Sequence, residues 1–445
     1  MTSLEPIRAG LRSAASEWRA FGHRRFRTYQ GIGTSAAFAS ALAGDGLTTP
    51  LLLALGAHPA VATVIGVLPF TFSAAQLLVP GLLRRADGNL RLVTTSILAV
   101  GETRGYWLAL ITFLDWARVV PSPVAIVLIG VVMSIGGAST TIGGTNLLAW
   151  YGAIMPDAER RFVAPRVMGI TLGLGALMLV PVALLVQAGL HVIGIRVYAI
   201  VFALAGTAGL VELVMVRRLP RPGRVRVAER GTTARQSPQV LRFIRVVAIA
   251  QFGAGFGPYL SIYAISVLGL PPGFAIFLSA VGSAASLVGS TIVGSLLARG
   301  SASRTLRVSF LLRGGSMFIG LLALPANPLS WLVLCVVSAM ASAGFAAGTL
   351  GANERLLRLT SGFDVIGAQG RFVAESATGQ TLGQLSNAGL LAILPLGYPV
   401  FAILFAVSGI TRMITAIRIE VSEAWSTSTM AFRIDDLQGG GPKAE

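Results

Sequence analysis

The sequence has 445 residues, of which 54% are hydrophobic and 12% charged, with a formal net charge of +17. This charged fraction is about half that of an ordinary soluble domain. It is too small to cover a core of this size, so the composition excludes a water-soluble globular protein. The apolar residues also come in runs of roughly 20, the length that an α-helix needs to cross a bilayer. An all-α membrane protein is therefore predicted.

The first 30 residues are predicted to be a cytoplasmic N-terminal segment. Their apolar residues recur at helical spacing among arginines. This pattern is typical of an amphipathic helix on the inner membrane surface, and a disordered tail is an equal alternative. No short apolar core followed by a cleavage site is present, so no cleaved signal peptide is expected.

Twelve transmembrane helices are predicted, and they are called spans 1 to 12. Six form an N-terminal half at 31–216, a Pro- and Arg-rich cytoplasmic linker covers 217–242, and six form a C-terminal half at 243–418. A flexible cytoplasmic tail is expected at 419–445. The predicted spans are 31–54, 60–83, 92–114, 122–144, 166–189, 194–215, 243–267, 273–297, 306–325, 329–350, 373–394 and 398–418.

The basic charge is distributed along the chain in a regular way. Almost all of it is arginine, since Lys443 is the only lysine, and the arginine clusters follow every second span. This alternation places the basic loops and both termini in the cytoplasm, with the chain in the inner (plasma) membrane. The charge thus indicates topology and contact with anionic lipid, and no nucleic-acid partner is predicted.

Two phrases of the sequence occur twice in the same order. M-x3-G-x6-G-x-N begins at Met133 and again at Met340, and RFVA-x6-TLG begins at Arg161 and again at Arg371. Six spans separate the copies, so both copies cross the membrane in the same direction. The sequence therefore predicts a parallel internal repeat of two six-helix halves.

With twelve spans in a repeat of six and six, the sequence resembles the major facilitator superfamily of secondary transporters. The loop between spans 2 and 3, "GLLRRADGNLR", is similar to the signature loop of that family. It keeps Gly81 and Gly88, but Arg85 stands where the family has an acid. The resemblance implies two halves that rock about a central site, driven by an ion gradient or by the gradient of the substrate itself.

Enzyme motifs are absent from the sequence. Lys443 does not lie in a phosphate-binding loop, and His23, His58 and His191 are isolated, without the spacing of metal ligands. We therefore predict no enzymatic activity, no metal and no cofactor.

Ionisable residues inside apolar runs are the candidate functional groups. Asp45 lies about 14 residues into span 1, where an unpaired carboxylate is costly, so it is a candidate proton-coupling group or a structural acid bonded to a neighbouring helix. Glu102 is a second candidate. Arg104 is expected to reach Asp45 or an anionic substrate. Glu212 is interpreted as a residue that snorkels to the membrane surface, and Arg313 as a structural or interfacial arginine.

Polar side chains also form a stripe on span 11, where Gln380, Gln384 and Asn387 recur at helical spacing. They are expected to line a substrate cavity or, alternatively, to bond helix to helix. On span 7, Gln251 and Tyr259 are predicted substrate contacts beside a proline that permits a bend.

These features together predict a monomeric secondary transporter that works by alternating access on a small-molecule substrate. Its few charges and many small and aromatic residues favour export of a moderately apolar molecule, and the resemblance implies that this export is coupled to protons. Uptake of an anionic metabolite is the alternative within transport. Lipid translocation, or a role as a membrane assembly factor, is an alternative of another class.

Overall fold

The computed structural model describes residues 24–154, 157–222, 238–257, 259–298, 302–359 and 365–438, and every element in these ranges is helical. Each predicted span corresponds to one helix or to one broken helix. The first half contains Arg24–Leu42 and Asp45–Ala54 (span 1), Pro59–Ser73, the 3-10 helix Ala74–Leu78 and Val79–Arg85 (span 2), Leu90–Glu102 and Arg104–Trp116 (span 3), Ser122–Ile154 (span 4), Asp157–Val192 (span 5) and Arg196–Arg217 (span 6).

The second half follows the same plan. Its helices are Pro238–Phe256 and Leu260–Ser266 (span 7), Pro272–Ala298 (span 8), Ala302–Gly320 (span 9), Ser330–Leu359 (span 10), Val365–Ile393 (span 11) and Tyr398–Gln438 (span 12). The helix of span 12 continues to Gln438, whereas the sequence predicted a flexible tail from residue 419. Extending an existing helix is far easier than starting one, which accounts for the difference. The predicted amphipathic segment up to residue 23 and most of the linker lie outside the described ranges.

Ten helical segments in the described ranges are long and apolar enough to cross a membrane. The two predicted spans that do not reach this threshold are 9 and 11, which carry arginines and amides respectively. Large apolar side chains point outward elsewhere, as Leu177, Leu184 and Ile393 do with 70%, 68% and 81% of their surface exposed. A lipid-facing surface is expected to look like this, and the chain is a multi-pass membrane protein.

Helix packing repeats between the halves. Span 1 packs on spans 5 and 6 as span 7 packs on spans 11 and 12, and span 4 packs on spans 2 and 3 as span 10 packs on spans 8 and 9. Between the halves, span 2 packs on span 11 and span 5 on span 8. Spans 2 and 8 are equivalent in the repeat, and so are spans 5 and 11, so exchanging the halves turns one interface into the other. The halves are therefore related by a pseudo-twofold axis.

The repeated phrase M-x3-G-x6-G-x-N has a packing role. A Cβ atom added at Gly137 would lie 2.7 Å from Cβ of Pro69, and one added at Gly344 would lie 2.7 Å from Cγ of Arg313. Both distances are shorter than real Cβ contacts, so glycine is needed for spans 4 and 10 to approach their neighbours. The TLG part of the second phrase lies at the interface between the halves, where the Thr381 and Thr71 hydroxyls are 2.8 Å apart.

Candidate functional site

Span 1 is broken at the predicted proton-coupling residue. Its first helix ends at Leu42, and a second helix begins at Asp45 after Gly44, whose carbonyl accepts from the amides of Leu47 and Thr48. Asp45 therefore lies in the first turn of a helix, where the backbone dipole favours a negative charge. The residue as a whole is partly exposed. The break thus places a carboxyl group in the interior of the protein, at the start of a helix.

Span 3 is also broken, between Glu102 and Arg104. Three glycines, at 105, 206 and 209, bring this break close to span 6. A Cβ at Gly209 would lie 2.3 Å from the Glu102 carbonyl oxygen, and one at Gly105 would lie 2.3 Å from the Gly206 nitrogen. The two backbones thus touch, and Glu102 is only 5% exposed.

The close approach of spans 3 and 6 pairs two acids. Glu102 and Glu212 are close enough for their charges to act on each other, and Glu212 is also 5% exposed, with its Oε2 unpartnered among the described residues. Two neighbouring buried carboxyl groups disfavour the state in which both are ionised. The snorkelling predicted for Glu212 is wrong, because spans 3 and 6 approach so closely that its carboxyl group is enclosed between them.

Arg104 lies at the centre of these acids. Its Nη1 donates to Oγ1 of Thr140 on span 4 at 3.0 Å, and a Cβ at Gly136 would lie 2.7 Å from its own Cβ. The charges of Asp45, Glu102 and Glu212 all act on its guanidinium. Glu102 and Arg104 stand two residues apart, a spacing that places side chains on different faces of a regular helix. They interact nevertheless, because the break at Thr103 interrupts the helical geometry. We call Asp45, Glu102, Arg104 and Glu212 the acidic cluster.

The second half contributes Tyr259 to this region. Span 7 is broken between Phe256 and Leu260, and the Tyr259 hydroxyl reaches span 2, where a Cβ at Gly66 would lie 2.6 Å from it. The same hydroxyl is close enough to Asp45 to feel its charge, and it lies beside the Gln384 amide of span 11. Tyr259 therefore connects the polar stripe of the second half with the acidic cluster of the first.

The polar stripe of span 11 divides into two parts. Asn387 is fully buried and donates from Nδ2 to the Gly257 carbonyl at 3.0 Å, which makes it a helix-to-helix contact at the break of span 7. Gln384 is 5% exposed, and its Oε1 has no hydrogen-bond partner among the described residues. Gln380 is partly exposed, and so is Gln251 on span 7. Both alternatives offered for the stripe thus find support in different residues.

The loop between spans 2 and 3 lies apart from this region. Gly88 has a φ of +73° and its amide donates to the Leu83 carbonyl at 2.8 Å, so glycine serves the turn. Arg85 is exposed, and a Cβ at Gly81 would meet no neighbour within 4 Å. The structure gives no packing reason for Gly81.

Two residues of the interior were not singled out from the sequence. Thr140 gave no signal, because threonine is common in membrane helices and its partner is set by packing. Arg412 did give one, because it stands inside the apolar run of span 12 just as Asp45 stands inside span 1. It is 5% exposed.

No protein-family model and no curated protein matches the sequence. Among solved structures, the chain is similar to a D-xylose–proton symporter, with a TM-score of 0.65, 13% identity, and coverage of 88% of this chain and 95% of the other. It is also similar to the nucleoside transporter NupG, with a TM-score of 0.59, 13% identity, and coverage of 89% and 98%.

A bacterial homologue of the iron transporter ferroportin matches in two states. The inward-facing structure gives a TM-score of 0.62 at 13% identity, covering 90% of this chain and 99% of that one, and the outward-facing structure gives 0.61 at 14%, covering 89% and 99%. At such identities the likeness concerns the fold. The predicted resemblance is confirmed at that level, and the chain has a fold like that of the major facilitator superfamily.

Proposed function

We propose that the protein is a secondary transporter that exports a moderately apolar small molecule in exchange for protons. The fold supports transport, because the similar structures are those of sugar, nucleoside and iron transporters. In alternating access the two halves would rock against each other. The movement would take place at the two interfaces between them, span 2 against span 11 and span 5 against span 8. The ferroportin homologue, with one fold in inward-facing and outward-facing states, is consistent with such a movement.

The observation that carries the proposal is the position of Asp45. Asp45 lies at a helix break, where the charge of Arg104 from its own half acts on it and where its own charge acts on Tyr259 from the other half. A proton that binds Asp45 would remove its attraction to Arg104. The Tyr259 side chain of the second half contacts span 2 of the first half. Protonation of Asp45 would therefore change the charge close to a contact between the halves. Gln251, Gln380 and Gln384 are the proposed substrate contacts.

Uptake of an anion on Arg104 receives less support. Three carboxyl groups already act on that guanidinium, so little positive charge is left for a substrate. Glu102 and Glu212 would instead share a proton, which lowers the negative charge of the acidic cluster. In this proposal Arg104 sets the balance of charge around Asp45.

The test is a flux assay on purified full-length protein in liposomes that contain entrapped DNA, so that entry of ethidium raises fluorescence. An inside-acidic pH step should accelerate entry in the wild type. The variant Asp45→Asn keeps the size of the side chain but cannot exchange a proton, and it should lower the gradient-driven rate by about a hundredfold or more, the typical contribution of a proton-transferring group.

Asp115→Asn is the matched control. It makes the same chemical change on span 3, about three helical turns beyond Arg104, and it should keep the gradient-driven rate. Full gradient-driven flux in Asp45→Asn would refute the proton role of Asp45. Movement of a fluorescent phospholipid in the same vesicles, without ethidium flux, would instead favour lipid translocation.

A further inference from the structure

Two arginines are buried side by side in the second half. Arg313 of span 9 is 6% exposed and Arg412 of span 12 is 5% exposed. Nη1 of Arg412 donates to the backbone carbonyl of Arg313 at 3.0 Å, which fixes the two residues against each other. Neither has a role in the transport proposal.

No carboxyl group balances this pair in the described part of the chain. The charge that acts on Arg412 is that of Arg313, a like charge, and no acid acts on either residue. The ion pair that this half does show on span 11, Arg371 with Glu375, is closed within one helix. Two like charges out of water without a counter-charge are strongly unfavourable, by several kcal/mol for each ion.

The donors of the pair are largely unused as well. Nε of Arg412 is buried without a hydrogen-bond partner. The described contact of the Arg313 guanidinium is with the ring of Phe345, at 5.4 Å from the centroid. An arginine side chain carries five N–H donors. Among the described residues, the hydrogen bond from Arg412 to the Arg313 carbonyl accounts for one of them, so most donors of the two side chains have no acceptor. Such a site matches a compact anion.

The site also borders the break in span 7. A Cβ at Gly257 would lie 3.4 Å from Nη2 of Arg412, and the Gly257 carbonyl accepts the hydrogen bond from Asn387 described above. An anion at Arg412 would therefore sit next to the backbone that positions Tyr259. Binding there would be transmitted to the point where the second half meets the first.

We propose that Arg313 and Arg412 form a binding site for a small anion between spans 9 and 12. The shared chemistry is a single compact negative charge that accepts hydrogen bonds from the paired guanidinium groups. The charge can come from a free ion such as chloride or from the carboxylate of a larger solute. The proposal is independent of proton coupling at Asp45.

Thermal unfolding of the purified full-length protein in detergent tests the site. A thiol-reactive fluorophore reports unfolding through Cys335, the only cysteine of the chain. At constant ionic strength, the bulky sulfonate 2-morpholinoethanesulfonate, which is neither a compact anion nor a carboxylate, is replaced by chloride, acetate or benzoate. Saturating anion should raise the melting temperature by roughly 2 °C or more, because a ligand of the folded state stabilises it.

Variants separate the site from a general effect of salt. Arg412→Gln and Arg313→Gln should abolish the shift, whereas Arg418→Gln, which removes an exposed arginine of the same span, should keep it. If the glutamine variants do not fold, Arg412→Lys keeps the charge but loses the fork of donors, and the anion concentration for half the shift should rise at least threefold. Asp45→Asn should keep the rise in melting temperature caused by the anion. A failure of the anion site can therefore be distinguished from a failure of the transport proposal.

A shift with chloride assigns the site to a free ion, and a shift with acetate or benzoate alone assigns it to a solute carboxylate. Both outcomes support the proposal. Equal melting temperatures in all four anions would overturn it, and so would an unchanged shift in Arg412→Gln or in Arg412→Lys.

Discussion

Arg104 of the first half and Arg313 of the second stand 209 residues apart and occupy the same place in the repeat. Each packs against a glycine of the next span, Gly136 for Arg104 and Gly344 for Arg313, with an added Cβ 2.7 Å from the arginine in both cases. A contact between the arginine and a glycine of the next span is thus present on both sides of the pseudo-twofold axis, although the repeat equivalent of Gly344 is Gly137, one residue further along than Gly136.

The surroundings of the two arginines are opposite. Asp45, Glu102 and Glu212 act on Arg104, whereas no carboxyl group acts on Arg313 in the described part of the chain, and its charged neighbour is Arg412. Glycine contacts fix how helices pack, while the residues one or two turns away fix the charge. A duplicated bundle can therefore keep its packing and still hold different chemistry in each half.

Removal of each arginine should give the largest contrast. Arg104→Gln leaves the buried carboxyl groups of Glu102 and Glu212, and that of Asp45, without a cation, so we expect a loss of about 3–5 kcal/mol of stability at neutral pH. The loss should shrink at acidic pH, because protonated carboxyl groups carry no charge to bury. Arg313→Gln removes an unbalanced charge, and in the bulky sulfonate reference salt it should be neutral or stabilising.

Melting temperatures read through Cys335 at neutral and acidic pH measure this contrast. Equal losses in the two variants would show that the halves are electrostatically alike. A loss in Arg104→Gln that does not depend on pH would show that the carboxyl groups are not its cause.

The glycine contacts should give the next largest effect. In Gly209→Ala the new Cβ would lie 2.3 Å from the Glu102 carbonyl, a rigid backbone atom, and overpacking of this kind costs about 1–3 kcal/mol. Gly314 lies at the corresponding contact of spans 9 and 12, where the nearest atom is Cγ of the flexible Met413 side chain at 3.1 Å. We expect Gly314→Ala to lower the melting temperature much less, and the opposite order would contradict the described approach of spans 3 and 6.

The hydrogen bond of Arg104 should contribute less. Thr140→Val keeps the branched shape but leaves Nη1 of Arg104 without its acceptor, and bonds to charged groups are worth about 1.5–3 kcal/mol in buried positions. Because Thr140 is partly exposed, the lower end of that range is expected. Thr145→Val, with an exposed hydroxyl on the same span, is the control, and equal melting temperatures in both variants would refute a role for the bond.

The contact of Arg313 with Phe345 should give the smallest effect. Its centroid distance of 5.4 Å is within the range of a cation–π interaction, worth about 0.5–1 kcal/mol at an exposed site. The Phe345 side chain is 51% exposed. Phe345→Leu should therefore lower the melting temperature only slightly. A larger loss than in Thr140→Val would show that Arg313 is held more strongly by its neighbours than Arg104, which contradicts the expected order.

Particular residues show how far the sequence was informative. Asp45, Glu102 and Arg104 were found because ionisable residues inside apolar runs are rare, and the structure brings them together. Arg313 was found as an echo of Arg104 and expected to be structural or interfacial. Its burial contradicts the interfacial alternative, since distance from a basic loop along the chain says nothing about burial. Glu212 was misread for the same reason.

The sequence by itself determined the twelve helical segments and their division into two similar halves, because hydrophobic run length and a doubled motif are local properties of the chain. Only the tertiary structure decided that Glu102 faces Glu212, that Tyr259 reaches the first half, and that Arg313 and Arg412 share a site without a carboxylate. These pairings depend on helix breaks and on glycine contacts between segments far apart in sequence, and no periodicity along a single helix encodes them.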